Sequence, residues 1–317
     1  MSDAPLVKPR AVRPGDRVAI VAPASPFPAD AFEAGVAELR RLGFEPVAEP
    51  GVFERRGYVA GEPAARARAL MAAFENPAVA AIVAARGGYG SVELLPFLSI
   101  GAIRRNPKLL VGYSDITALL AFVTTRCRVA ALHGPCVAAG LHGGPSGYDE
   151  ATFLGALTRA EPLGVLPAPG LETLARGEAA GPLFGGNLTQ LAASMGTPYA
   201  FDPPPGCLLF LEEVGERPYR IDRLLTQLKF ARVFERARAV VFGECPGCDE
   251  PDGSAAARGV AADALRGFPG PVVWGLPAGH TAGPSLTLPL GVRARVVAGP
   301  APVVEILESA VAEIPEP

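Results

Sequence analysis

The stretch LLVGYSDITALL, residues 109–120, decides the fold predicted for this chain. Its first residues, Leu109 to Val111, belong to an apolar run that predicts a buried strand, and a helical pattern begins almost at once at Ile116. Ser114 therefore lies on a sharp turn between a strand and a helix. A serine at such a turn either caps the helix, which is the more common arrangement, or stands exposed at the top of a sheet as a nucleophile.

The first half of the chain alternates short apolar runs with helical patterns. The runs RVAIVA, AVAAIVAA and LLVGYS are separated by segments such as DAFEAGVAELRRLG. Continuous apolar strands separated by helices are typical of a parallel sheet that is covered on both faces. Functional residues of such a sheet gather at the carboxyl ends of its strands. Two loops are predicted there, ARGGYG at residues 85–90 and GYSD at residues 112–115.

A break in this alternation predicts two domains. The chain gains Pro and Gly between about residues 160 and 180. We therefore expect a parallel α/β domain over residues 1–160, a linker over 161–180 and a smaller mixed α/β domain over 181–317. Near the end of the chain, PSLTLPLGVRARVVAG and PVVEILES have the alternation and turns of an antiparallel hairpin or meander.

The composition excludes several classes of function. The 317-residue chain has a formal net charge of −3, and its basic residues are scattered along the sequence. A nucleic-acid partner would require a basic stripe. No run approaches the roughly 18 apolar residues of a transmembrane helix, and VAIVAPASP near the N-terminus is too short for a signal peptide. We expect a cytoplasmic protein that binds neither nucleic acid nor membrane.

The five cysteines favour a reducing compartment over a disulfide framework, because they are odd in number and the chain is large. The segment CPGC, residues 245–248, has the spacing of a zinc knuckle or a redox motif. No second cysteine pair or nearby histidine follows it, so a turn that carries two thiols is the favoured interpretation. We expect no metal site.

A nucleophilic Ser114 would need a general base. Of the three histidines, His142 lies in a Gly-rich loop and is expected on the surface. His133 ends the strand that follows the Ser114 helix, and His280 follows the strand PVVWG in a Gly-rich turn. Motif spacing cannot place side chains across domains, so the residues alone leave these two histidines as equal candidates.

The base would in turn need an orienting carboxylate. Glu212, Glu213 and Glu244 all lie at the ends of predicted strands. Neighbouring strand residues face opposite ways, so only one of Glu212 and Glu213 can face a given site. For each of the three, a solvated carboxylate at a strand end is the alternative.

The Gly-rich loop ARGGYG offers backbone amides to a ligand. Its glycines allow close approach, but the loop lacks the G-x-G-x-x-G spacing and a lysine partner, which argues against a nucleotide-phosphate loop. A turn that presents amides to a substrate carbonyl is favoured. The N–H of Asp115, which follows the candidate nucleophile at the start of a helix, is a natural second donor.

Together these motifs resemble a known family. DRVAIVAPASP, ARGGYGS, VGYSDIT, LHGP, GGNLTQLAASMGTPY, LFLEEVGERPYRIDRLLTQL and GLPAGHTAGPSLTLPLG are similar, in that order, to the LD-carboxypeptidases of serine peptidase family S66. The resemblance covers about residues 14–295. It implies an N-terminal doubly wound parallel-sheet domain of the flavodoxin or class I amidotransferase type. It also implies a smaller C-terminal mixed α/β domain of the swivelling type.

The resemblance also implies roles for individual residues. The nucleophile falls on Ser114, the acid on Glu212 and the base on His280, so the second domain carries the acid and the base. The oxyanion donors fall on the backbone N–H groups of Gly88 and Asp115. The family usually has Asp directly after the acid, where this chain has a glutamate. Neither a metal nor an organic cofactor is implied.

The substrate implied is a murein tetrapeptide, from which a terminal D-alanine is released in cell-wall recycling. Arg86 is the candidate clamp for the terminal carboxylate, and Gly87 and Tyr89 beside it are candidate substrate-binding residues. The family also includes microcin C immunity hydrolases that cleave peptidyl or aminoacyl nucleotides. Such a substrate would want aromatic partners, and Trp274 is the only tryptophan. A catalytically silent peptide-binding protein is a third hypothesis, and a homodimer is expected.

Overall fold

The computed structural model describes residues 5–313, and these residues form two sheets covered by helices. The first half contains five strands: β1 (Arg17–Val21), β2 (Glu45–Ala48), β3 (Val79–Ala84), β4 (Leu109–Gly112) and β5 (Ala131–His133). Five helices accompany them: α1 (Ala29–Arg41), α2 (Pro63–Glu75), α3 (Ile100–Arg105), α4 (Thr117–Ala121) and α5 (Glu150–Thr158).

The strands β2-β1-β3-β4-β5 are parallel, which is a doubly wound order of the flavodoxin type. Strand β3 has the sequence VAAIVA and is buried at every position, as expected for a central strand with helices on both faces. Helix α1 is amphipathic and buries Phe32, Gly35 and Leu39 at helical spacing. The predicted α/β class and parallel core are confirmed.

The second half contains nine strands: β6 (Gly164–Val165), β7 (Glu172–Ala175), β8 (Gly177–Asn187), β9 (Cys207–Glu212), β10 (Ala237–Gly243), β11 (Val272–Leu276), β12 (Leu288–Leu290), β13 (Arg293–Ala298) and β14 (Val303–Ile306). Its helices are α6 (Leu188–Ala193), α7 (Pro218–Phe230) and α8 (Ala257–Ala264). Eight of these strands form the second sheet, in the order β6-β14-β13-β8-β9-β10-β11-β7.

The second sheet is mixed, with parallel strands β8 to β11 at its centre and antiparallel strands on both sides. Its long strand β8 pairs with β13 through its first half and with β9 through its second. Strand β9 is parallel to both of its neighbours, so Glu212 at its end lies at the carboxyl edge of the parallel part. That edge is where ligand sites of α/β sheets are found.

The second half of the chain differs from the predicted organisation in two places. Residues 161–180, expected to be a linker, contain β6, β7 and the start of β8, which all belong to the second sheet. Strand β12 leaves its predicted domain and pairs antiparallel with β5 at the edge of the first sheet. The expected antiparallel hairpin is formed by β13 and β14. Strand β12 thus ties the second half of the chain to the first.

Within residues 5–313, no helix combines the length and the apolar character needed to cross a membrane. The buried apolar side chains form two clusters. The larger cluster spreads from the first sheet onto one face of the second. The smaller lies between the second sheet and its helices, where Trp274 packs against Phe242 at a ring-centroid distance of 5.4 Å.

The central pairing of β8 with β9 depends on Gly185. Its φ is +141°, and a Cβ added there would lie 1.8 Å from the carbonyl oxygen of Phe210 on β9. We expect Gly185→Ala to destabilise the protein by about 3 kcal/mol or more, because the two strands must separate. Thermal unfolding followed by circular dichroism measures this effect.

Gly259 provides the matched control, since it is exposed on helix α8 and has open space where a Cβ would be. Gly259→Ala should leave the melting temperature unchanged or raise it slightly, because alanine is the better helix former. Equal melting temperatures for Gly185→Ala and the wild type would contradict the close packing of β8 on β9.

Candidate active site

Ser114 occupies a strained turn at the carboxyl end of β4. Its φ is +62°, in the left-handed region that residues with a side chain avoid. A single 3₁₀ turn, Ser114–Ile116, follows and leads into α4, and neither start has a side-chain cap. The cap position is Tyr113 for this turn and Ile116 for α4, so Ser114 is not the capping residue of either. A strained backbone at a sharp strand-to-helix turn is the geometry of an elbow nucleophile.

The Gly-rich loop packs directly against this elbow. A Cβ added to Gly87 would lie 2.9 Å from Cβ of Ser114 and 3.3 Å from the backbone nitrogen of Asp115. At Gly88, where φ is +105°, a Cβ would lie 2.4 Å from Oγ of Ser25. Only glycine fits at either position. The loop therefore brings its backbone to the side chain of Ser114 and the amide of Asp115.

The side chain of Asp115 fastens this loop to the elbow. Its Oδ2 accepts a hydrogen bond of 2.8 Å from the backbone N–H of Ser91, and the Ser91 hydroxyl donates to its backbone oxygen at 2.5 Å. Burial raises the pKa of Asp115, and the bonds from Ser91 oppose that shift. The motifs indicated only a backbone role for Asp115. The contact is non-local, so no spacing in the sequence indicates it.

Glu212 and His280 form a buried pair. Nδ1 of His280 lies 2.7 Å from Oε2 of Glu212, and the backbone N–H of His280 donates to the same oxygen at 3.0 Å. The Glu212 side chain is fully buried between Gly243 and Gly279. A Cβ on Gly243 would lie 2.8 Å from Cβ of Glu212, and one on Gly279 would lie 2.7 Å from its Cδ. The carboxylate is thereby held in one position.

The pair shifts the pKa of both partners. Burial alone would raise the pKa of Glu212, but the hydrogen bonds and charge of His280 outweigh it, so the pKa lies below its ordinary value. Burial alone would lower the pKa of His280, but Glu212 outweighs it, so the pKa is raised. The imidazolium form of His280 is thus stabilised by a carboxylate that stays ionised at neutral pH.

Tyr113 joins the elbow to this pair. It precedes Ser114, and its ring lies 5.0 Å from the ring of His280. The other candidate base, His133, is fully buried on β5, where its ring lies 5.1 Å from that of Phe210. The structure therefore pairs His280, and not His133, with a carboxylate.

The remaining carboxylates have other contacts. Glu213 accepts hydrogen bonds from the side chains of Asn187 and Thr189 and from the backbone of Thr189 at the start of α6. Glu244 accepts from the backbone N–H of Ala282 at 2.9 Å, which supports the loop that carries His280. Glu213 and Glu244 thus hold elements around the candidate site, whereas Glu212 contacts His280 itself.

A cavity of about 300 Å³ opens beside His280. Tyr113, Ser146, Thr281 and Ser285 are among the described residues that line it, and these include no arginine. Arg86 is exposed outside this cavity and donates a hydrogen bond to the carbonyl of Pro26 at 2.9 Å.

Tyr89 lies on the rim of the Gly-rich loop. It is 47% exposed, and its ring contacts the ring of Tyr58 edge-on at 5.5 Å. Ser25 holds the two tyrosine segments together, because its Oγ accepts from the N–H of Tyr89 and donates to the carbonyl of Tyr58. The exposed tyrosine pair is therefore anchored to the same Ser25 that touches the Gly-rich loop.

Metal ligands do not converge in the described part of the chain, where no group of three or more His, Cys, Asp or Glu side chains could hold an ion. The five cysteines are free thiols, and all are buried. In the CPGC segment, burial raises the pKa of both thiols, to about 11 for Cys248.

A parallel α/β domain and a second sheet, with an elbow serine and a histidine–glutamate pair at their junction, define an α/β protein equipped for hydrolysis. Family models of the N-terminal and C-terminal domains of LD-carboxypeptidases match residues 18–134 and 180–296. The chain belongs to this family, as its motifs indicated.

Three proteins show the range of the similarity. The Streptomyces coelicolor protein SCO6489, named provisionally as a carboxypeptidase, is 40% identical over 92% of this chain and 93% of its own length. The murein tetrapeptide carboxypeptidase of Pseudomonas aeruginosa is 34% identical over 84% and 88%. The structure of the microcin C7 self-immunity protein MccF in complex with aspartyl sulfamoyl adenosine has a TM-score of 0.89 and 27% identity. That match covers 96% of this chain and 100% of MccF.

The Glu212–His280 contact predicts a measurable titration. In Glu212→Gln the charge that raises the pKa of His280 is lost while burial remains, so this pKa should fall below its ordinary value of about 6.5. Histidine-selective NMR titration measures it, since the chain has three histidines. Glu244→Gln is the matched control and should leave the value unchanged. A His280 pKa that is the same in wild type and Glu212→Gln would rule out the pair.

Proposed function

We propose that this protein is a serine carboxypeptidase that hydrolyses the L,D amide bond of a murein tetrapeptide and releases terminal D-alanine. In this proposal Ser114 is the nucleophile, His280 the general base and Glu212 the residue that orients the base. The observation that carries it is the contact between Nδ1 of His280 and the buried Glu212. With Nδ1–H donated to Glu212, Nε2 is the nitrogen that accepts a proton.

The proposed reaction has two stages. Ser114 Oγ attacks the amide carbonyl as Nε2 of His280 takes its proton, and the tetrahedral intermediate collapses when the imidazolium gives that proton to the leaving nitrogen of D-alanine. In the second stage His280 takes a proton from a water molecule, which attacks the acyl-enzyme. His280 then returns this proton to Oγ of Ser114 as the tripeptide acid is released. Glu212 stabilises the imidazolium in both stages and is not protonated.

We propose the backbone N–H groups of Gly88 and Asp115 as the oxyanion donors. The close packing of the glycine loop on the Ser114 elbow supports this assignment.

Arg86, Gly87 and Tyr89 are proposed to bind the substrate. Arg86 has one N–H group bound to Pro26, so its other donors are available for a terminal carboxylate. Its position beside Gly87, which touches Ser114, supports a place near the reacting bond. The cavity beside His280 would receive the part of the substrate on the other side of Ser114.

The murein substrate is favoured by the Pseudomonas aeruginosa relative, which is named for that activity. An aminoacyl-nucleotide amide is the second candidate, favoured by the likeness to MccF and by the exposed Tyr58–Tyr89 pair. Aromatic rings of this kind can stack on a base. Trp274, by contrast, is partly buried and packs against Phe242 of the second domain. A catalytically silent peptide-binding protein is the remaining alternative.

D-Alanine release from L-Ala-γ-D-Glu-meso-diaminopimelate-D-Ala tests the proposal. We expect turnover by the wild type and a loss of about 10³-fold or more in Ser114→Ala and in His280→Ala. Because the pKa of His280 is raised above its ordinary value of 6.5, the base takes up a proton before the pH falls to 6.5, and kcat/KM should already decline above that pH. Ser254→Ala is the matched serine control, since Ser254 is exposed on the loop before α8, and it should keep wild-type turnover.

An aspartyl sulfamoyl adenosine analogue with a scissile amide, assayed in parallel, separates the candidates. Faster cleavage of the nucleotide conjugate than of the tetrapeptide would replace the murein proposal by the second candidate. Tight tetrapeptide binding without turnover of either compound would support the silent binding protein.

We also propose that the protein is cytoplasmic and forms a homodimer, as its family resemblance implies. Light scattering coupled to size exclusion should give about twice the monomer mass of 32.7 kDa. A monomer mass over the whole concentration range of the activity assay would contradict the dimer.

A further inference from the structure

His133 is a buried polar side chain that the proposed mechanism does not use. Its relative exposure is 0%, and neither ring nitrogen has a hydrogen-bond partner among the described residues. Buried polar atoms are nearly always paired, so an unpaired imidazole in the core requires an explanation. Burial lowers the pKa of His133 to about 4, so the ring is neutral in the physiological range.

The acid Glu212 has a matching unpaired atom. Its Oε2 receives both hydrogen bonds from His280, while its Oε1 is buried and has no partner in the described part of the chain. A buried carboxylate oxygen without a donor is costly, because it has lost its hydration. A neutral imidazole carries one N–H donor, which is the group that Oε1 lacks.

The fold brings these two groups together. His133 packs against Phe210, which lies two residues before Glu212 on β9, and residues two apart in a strand face the same side. The ring of Tyr113 lies 6.3 Å from the ring of His133 and 5.0 Å from that of His280. His133 thus lies on the face of β9 that also carries Glu212, and it is not among the described residues that line the cavity beside His280.

The charged and titratable groups around His133 are few. Glu212 at the end of β9 and His280 in the loop after β11 both act on it electrostatically, and Tyr113 faces it from the end of β4. Strand β12 contributes Leu288, its apolar pairing partner. Among the described residues, Glu212 is therefore the anionic acceptor that the N–H of His133 can meet.

We propose that His133 is a positioning residue for the acid, whose N–H is directed to Oε1 of Glu212 and completes a relay from His133 through Glu212 to His280. Because these atoms do not contact one another directly, the link runs through an ordered water, which draws charge from the carboxylate. The link keeps the plane of the Glu212 carboxylate facing His280, and it lowers the pKa that His280 would otherwise have. Because it takes His280 as the general base, this proposal rests on the proposed function.

His133→Phe removes the donor and keeps a ring of similar shape. Without the donor the carboxylate holds the His280 imidazolium more tightly, so the pKa of His280 should rise by about half to one unit. The acidic limb of kcat/KM should move to higher pH by the same amount. We expect kcat to fall about ten-fold with KM within about two-fold, since the group touches no substrate.

Two further variants separate positioning from packing. His133→Asn places an amide N–H near the position of Nδ1, and His133→Gln places one near that of Nε2. At least one of these variants should return the acidic limb of the kcat/KM profile to its wild-type pH. Phe210→Leu, the matched control, disturbs the packing of the ring but keeps the donor, so its acidic limb should equal that of the wild type.

The histidine NMR titration requires no substrate, so it tests this proposal even where the tetrapeptide is not hydrolysed. A His280 pKa in His133→Phe equal to that of the wild type would overturn the proposal. The proposal would also be wrong if both amide variants behaved like His133→Phe in titration and pH profile. If the wild type did not hydrolyse the tetrapeptide but His133→Phe still raised the pKa of His280, only the proposed function would be refuted.

Discussion

The candidate site depends on one buried charge. Glu212 is fully enclosed, and a carboxylate removed from water is stable only with strong partners. His280 supplies two of them, its ring nitrogen and its backbone N–H. The contact is possible because Gly243 and Gly279 leave no side chain in the way. The end of β9, the end of β10 and the loop after β11 are thus all shaped around this carboxylate.

The two halves of the chain are connected next to this carboxylate. The loop that carries His280 continues into β12, which pairs with β5 at the edge of the first sheet. The ring of Tyr113 then contacts His280 from the first domain. A histidine fixed by the second sheet is thereby held against Tyr113, the residue before Ser114, and β12 is the structural tie between the two sheets.

The sequence predicted the features that depend on local pattern. Apolar runs separated by helical segments identified the parallel sheet, and the Gly-rich loop marked its carboxyl edge. The short strands β6 and β7 were missed, because two to four residues are too few to show a clear alternation. The excursion of β12 was missed because strand pairing across domains leaves no trace in local periodicity.

The site residues show the same limit. The residues alone could not choose between His133 and His280, since motif spacing does not place side chains across domains, and only the motif resemblance favoured His280. In the structure the carboxylate of Glu212 contacts His280 and the ring of His133 lies in the core, which supports the proposal of His280 as the base. The hydrogen bonds between Asp115 and Ser91 join segments that are distant in the sequence. Neither the residue pattern nor the motif resemblance could predict them.

The proposed function depends on Ser114 acting as a nucleophile that is activated by His280 and Glu212. Its most direct test is covalent labelling with a fluorophosphonate, located by mass spectrometry of the digested protein. A single adduct is expected on the peptide that carries Ser114, and it should form far more slowly in His280→Ala. An unlabelled folded protein, or an adduct on another serine, would contradict it.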